Sequence, residues 1–110
     1  MNPRWCILCL GLLTDPAAAQ DLPGDPGAGR QLAEAWCGTC HEVVPGSLHP
    51  ETPKGPPFLV IADDPAVTEA GLRAFLQTPH ADMPDIRLTH DQATDIIAYI
   101  LSLRGGESAP

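Results

Sequence analysis

Cys37-Gly38-Thr39-Cys40-His41 constrains this chain more than any other stretch of it. Cysteines three apart fall on one side of a helical turn, and a histidine follows at once. One such turn can close a redox disulfide or supply half of a zinc site. It can also attach a porphyrin, because C-x-x-C-H is the pentapeptide through which haem is covalently linked. In that case both thiols add to the vinyl groups of a single porphyrin, and the imidazole is aimed at the iron.

The two other chemistries fit the surrounding residues less well. Trp36-Cys37-Gly38-Thr39-Cys40 resembles a thioredoxin active site. That fold sets its dithiol after a buried strand, whereas Ala28 to Trp36 reads as helix and contains no β-branched residue. A zinc site needs a second ligand pair, and no further C-x-x-C or H-x-x-x-H occurs after position 19.

The amino terminus bears on compartment. Met1 to Arg4 supplies a charged start, Trp5 to Leu13 an apolar run, and Ala17-Ala18-Ala19 a small-residue cleavage site, the pattern of a secretory signal peptide over residues 1–19. The apolar run falls short of the ~20 residues a membrane span needs. Cleavage after Ala19 removes Cys6 and Cys9 and leaves Cys37 and Cys40 as the only cysteines, in a periplasmic product. An uncleaved signal acting as an anchor is the alternative.

What remains is one domain, small enough that a purely polypeptide core is marginal. Its aromatic residues are Trp36, Phe58, Phe75 and Tyr99 alone. A flat apolar macrocycle held by two thioethers can stand in for several missing large side chains. The chain is also acidic, with a net charge of −8 that processing leaves unchanged because Arg4 and Asp15 cancel, and Lys54 is its only lysine. Such a surface disfavours nucleic acid and anionic lipid, and favours partners with a basic or neutral docking patch.

Gln20 to Gly27, rich in Pro, Gly and Asp, reads as a flexible segment ahead of a domain spanning 28–105, with a tail at 106–110. Gly29, Leu32, Ala33, Trp36, Cys37 and Cys40 recur at helical spacing, so a first helix carries one apolar face into the C-x-x-C-H turn. Glu42 to Pro57 holds five prolines and two glycines, which excludes regular structure and predicts a loop that wraps a cofactor. Phe58 to Ala62 reads as a helical turn in preference to a strand. Thr68 is placed to cap a helix carrying Leu72, Phe75 and Leu76 that stops at Thr78, before Pro79. Thr89 and Gln92 form a capping box for a last helix with a stripe of Ala93, Ile96, Ile97, Ile100 and Leu103, ending at Gly105-Gly106.

A porphyrin iron bound to His41 has a second axial position. With Met1 lost, Met83 is the only methionine, in Asp82-Met83-Pro84, where a proline-stiffened loop can hold a thioether against the haem face opposite His41. His80 lies in the same loop and is the rival ligand. His90, in the first turn of the last helix, and His49, beside Pro50, have no supporting pattern.

Four pieces, in this order and spacing, resemble class I mono-haem bacterial c-type cytochromes. They are Gly29 to His41, Gly55-Pro56-Pro57-Phe58, Pro79-His80-Ala81-Asp82-Met83-Pro84, and Leu88-Thr89 through Ala98-Tyr99-Ile100. The resemblance implies a small all-α fold of three to four helices around one haem c, with the first and last helices crossing. Gly29 and Tyr99 match the family's crossing contact. Cys37 and Cys40 would be the thioethers, and His41 and Met83 the axial ligands. The Pro56 carbonyl would accept a hydrogen bond from the other ring nitrogen of His41. Ala33 departs from the aromatic residue many relatives have there, so Leu32 or Trp36 has to fill the crossing. The ring of docking lysines of mitochondrial cytochromes c is missing too.

The activity this implies is one-electron transfer between periplasmic redox partners, with no catalysis because both axial positions are filled. Sulfur ligation would raise the potential. The alternatives are a cytochrome subunit bound to a particular dehydrogenase or reductase, and a five-coordinate gas-binding or sensor haem. If haem completes the core, a Cys37→Ala, Cys40→Ala double variant should lose most of the helical circular dichroism of the parent protein. Native-like dichroism in that variant would contradict the argument.

Overall fold

The computed structural model describes residues 11, 22–47, 54–78 and 82–106. The proposed signal segment 1–19 (apart from Gly11), His49, His80 and the tail 107–110 lie outside the described residues. Four helices follow in order: α1 (Pro26–Trp36), α2 (Phe58–Asp63), α3 (Glu69–Gln77) and α4 (His90–Ser102). The chain is all-α, with no strand among the described residues.

Each helix begins where local chemistry can satisfy its first amides. α1 starts two residues before Ala28, within the segment read as flexible. The Asp25 carboxylate accepts from the amides of Gly27 and Ala28, and Pro26 presets the first helical φ. The Asp25 amide in turn donates to Asp95 Oδ1 of α4 at 2.8 Å, which ties that entry to the far end of the chain. Thr68 caps α3 through the Gly71 amide at 3.0 Å, and α3 ends at Gln77 with Thr78 extended. α4 has its full capping box: Thr89 Oγ1 accepts from Gln92 N at 3.1 Å, and Gln92 Oε1 from Thr89 N at 2.9 Å. α4 gives way to a short 3₁₀ turn, Arg104–Gly106, in which Gly105 is left-handed with φ 85°.

The core is organised on α4, against which α1, α2 and α3 all pack. For that reason the helix is buried more widely than a single stripe. Ala98, Tyr99 and Leu101 are buried alongside Ala93, Ile96, Ile97 and Ile100. Ala33, Val43, Phe58, Ala62 and Leu72 complete the cluster from the other elements. Among the described residues, no charged side chain is buried.

The α1–α4 crossing depends on Gly29. A Cβ at this position would fall 1.8 Å from the Asp95 carbonyl oxygen and 2.9 Å from Ile96 N, so the two backbones touch directly. Ala33 is fully buried one turn on, and Leu32 packs against the core, while Trp36 is 41 % exposed. Leu32 therefore accompanies Ala33 at the crossing, and Trp36 faces elsewhere. Tyr99, buried on α4, donates its hydroxyl to the Val43 carbonyl at 2.7 Å. Burial pushes its phenol above the usual tyrosine range, which keeps it a donor.

Arg104 closes the opposite edge. Its Nε donates to Ala62 O at 3.0 Å and its Nη2 to Val67 O, and the Gly105 amide bonds Asp63 Oδ1 at 3.0 Å. The α2–α3 connection is thereby pinned to the end of α4.

Because the obstacle at Gly29 is backbone and cannot rotate away, Gly29→Ala should destabilise the protein by about 3 kcal/mol, the upper end of overpacking costs. Denaturant unfolding measures this, and an unchanged midpoint would mean the helices do not cross at Gly29.

Candidate functional site

The C-x-x-C-H turn grows directly out of the end of α1. Cys37 is the C-cap of that helix, its amide donating to Ala33 O at 2.7 Å. The turn is then closed by Cys40 N and His41 N, both donating to Cys37 O at 3.1 and 2.9 Å. Both thiols are free and half-buried. Burial, reinforced by neighbouring Cys40, pushes the Cys37 thiol up to about 11. A dithiol nucleophile needs the reverse, a thiolate favoured by a helix N-terminus or a nearby cation, and Cys37 sits at a helix C-terminus. The thioredoxin chemistry is therefore unsupported at this turn.

Cys40 sets the position of the next part of the site. Its carbonyl accepts from both Lys54 N, at 3.1 Å, and Gly55 N, at 3.0 Å, while Phe58 N donates to Glu42 O at 2.9 Å. These bonds close the base of the proline-rich loop and lay Gly55-Pro56 across His41. A Cβ on Gly55 would lie 2.2 Å from His41 Cε1 and 2.6 Å from each ring nitrogen, so only glycine lets the backbone pass this near. His41 Nδ1 lies 2.7 Å from the Pro56 carbonyl. A carbonyl can only accept, so Nδ1 carries the proton and Nε2 keeps its lone pair for a metal. Phe58 stacks obliquely on the imidazole, with ring centroids 5.3 Å apart, and on Tyr99 at 6.4 Å.

A cleft adjoins the turn. Cys37 and Met83 both line it. The remaining walls are mainly apolar: Trp36, Phe75 and Leu76 from α1 and α3, Pro84, Ile86 and Leu88 from the segment before α4, and Ile96 from α4 itself. Thr78 and Asp85 are its polar members. Cys40 and His41 are not on this lining, so the structure gathers the candidate residues as two groups joined by the turn. His90 stands apart in the first turn of α4, its Nδ1 3.4 Å from Arg73 Nη1.

These residues fit haem c. Apolar walls suit a flat macrocycle, a thiol stands on the wall, and the donor set of imidazole and thioether is one that iron porphyrins accept. The sequence predicts the Phe58–Ala62 turn on the haem and a Met83 loop stiffened by Pro84, but gives Gly55 and Ile86 no site role of their own. The signal for Gly55 is its place in Gly55-Pro56-Pro57-Phe58 and that for Leu88 its place at the head of the last matching piece, while Ile86 carries no local signal.

Comparison with known proteins finds a relative named cytochrome c-552 from Bradyrhizobium diazoefficiens. It is 37% identical over 97 residues, covering 88% of this chain and 92% of the relative. No family model matches the chain, and no solved structure matches it. Among the described residues no helix is long and apolar enough to cross a membrane.

Gly55→Ala should push the loop off His41, with a stability loss of about 1–3 kcal/mol in denaturant titrations. A parent-like unfolding midpoint would show that the loop does not lie on the imidazole.

Proposed function

This chain belongs to the c-type cytochrome family, and from that premise we propose a one-electron carrier with His41 and Met83 as axial ligands. Haem c, covalently bound, supplies the Fe(III)/Fe(II) couple. Cys37 and Cys40 form the two thioethers that tether it. His41 presents Nε2 to the iron, with its tautomer and ring plane held by the Pro56 carbonyl at 2.7 Å and by the Phe58 ring. Met83, on the cleft wall, would offer the iron a soft thioether, which favours the lower charge of Fe(II). The apolar walls act in the same direction by keeping water away.

The observation that carries this reading is that Cys37 and Met83 line one cleft while His41 Nδ1 is held by the Pro56 carbonyl. With His41 and Met83 both holding the iron, the bound haem would pass electrons and leave no open position for a substrate. We place it in the periplasm, delivered there by the signal segment. Its partners are redox proteins whose docking patches are basic or neutral, as the net charge of −8 favours.

Optical spectra of the purified protein in both redox states test the ligation. The reduced protein should show the α-band of covalent haem c, and the oxidised protein the weak far-red band of sulfur ligation. Met83→Ala should abolish the far-red band, and His80→Ala should leave it intact. Persistence of the band in Met83→Ala would refute Met83 as the ligand.

A further inference from the structure

Asp82, immediately before Met83, is the single non-glycine residue in the left-handed backbone region among the described residues, with φ 68°. That region crowds a Cβ against the following carbonyl, and apart from glycine only asparagine and aspartate enter it readily. On the other side of Met83 stands Pro84, whose ring restricts the preceding residue to extended backbone. Met83 is thus flanked by two residues that set the chain direction. It is half-buried and lines the cleft, with Pro84 beside it on the same wall. Asp82 itself is exposed, so burial of its side chain does not hold the loop.

We infer that Asp82 is a positioning residue for Met83: its left-handed backbone, independent of its charge, turns the chain so that the thioether faces the cleft and the iron. The inference rests on the reading of Met83 as axial ligand and adds the device that holds it there. A residue that disfavours the left-handed region shifts the loop toward conformations in which the sulfur points away. The iron–sulfur bond then opens more often, and an added neutral nitrogen ligand takes the position. One coordinate bond replaces another, with no change in oxidation state.

Imidazole titration of the oxidised holoprotein, followed by loss of the far-red band, reads this directly. Asp82→Val should raise the apparent imidazole affinity at least about tenfold, and Asp82→Ala, the milder variant in case the first does not mature, about fivefold. Asp82→Asn and Asp82→Gly, which keep the left-handed conformation accessible, should stay within about threefold of the parent. Gly105 is also left-handed, with φ 85° and open space around a Cβ. Gly105→Val therefore places similar strain far from the cleft, and should lower the unfolding midpoint while leaving imidazole affinity unchanged.

Parent-like imidazole affinity in Asp82→Val and Asp82→Ala would overturn the inference. So would an effect of Asp82→Asn as large as that of Asp82→Val, since the carboxylate would then be the cause. Either result, with the far-red band still lost in Met83→Ala, leaves the ligation standing. Retention of the band in Met83→Ala removes both.

Discussion

Gly29 allows α1 to lie against the α4 backbone, and the rest of the site is built outward from that contact. The crossing fixes where α1 ends, and α1 ends in Cys37. α4 is the rigid partner because it is capped at its start, tied to the entry of α1 through Asp95 and Asp25, and pinned to α2 through Arg104 at its end. A C-x-x-C-H turn carried on a frayed helix would leave both cysteines and the histidine free to wander. Here it projects from α1, which packs most extensively against α4 among the described helices.

From that fixed turn, the site is assembled through the main chain. The Cys40 carbonyl takes two amides from the proline-rich loop and so brings Gly55 and Pro56 onto His41. Proline supplies carbonyls without amides, and the Pro56 carbonyl is spent on Nδ1. The His41–Phe58–Tyr99 series of rings then carries the orientation of the imidazole back into the core, where Tyr99 is bonded to Val43. His41 is held by the same residues that stabilise the fold, so the imidazole's geometry and the protein's stability are linked. The Met83 side is built differently, with Met83 between Asp82, whose backbone is left-handed, and Pro84. His41 and Met83 therefore stand on different supports, one packed against rings of the core and one in a loop segment between Asp82 and Pro84.

Much of this was legible residue by residue. The caps at Thr68 and Thr89 and the break before Pro79 were placed correctly, because each is a local competition between a side chain and a few amides. The start of α1 was read two residues late, since Pro26 and Gly27 look like loop until Asp25 is seen to cap them. Leu32 and Trp36 could not be told apart at the crossing, because helical periodicity gives a face without saying which neighbour covers it. The width of the buried surface on α4 was missed for the same reason. Three helices converge on it, and no spacing within 90–102 reports that.

The chemistry of the centre came from local order: two thiols and an imidazole on one turn, one methionine past a proline-broken helix, a glycine and prolines between them. Covalent spacing and backbone restriction act over a few residues and leave their mark in the chain itself. Packing settled what lies further apart. It set Gly55 against the imidazole, chose Nδ1 as the donor, and placed Cys37 and Met83 on one cleft. Those outcomes depend on distances between segments tens of residues apart, fixed by steric exclusion and by which main-chain groups find partners when the helices close.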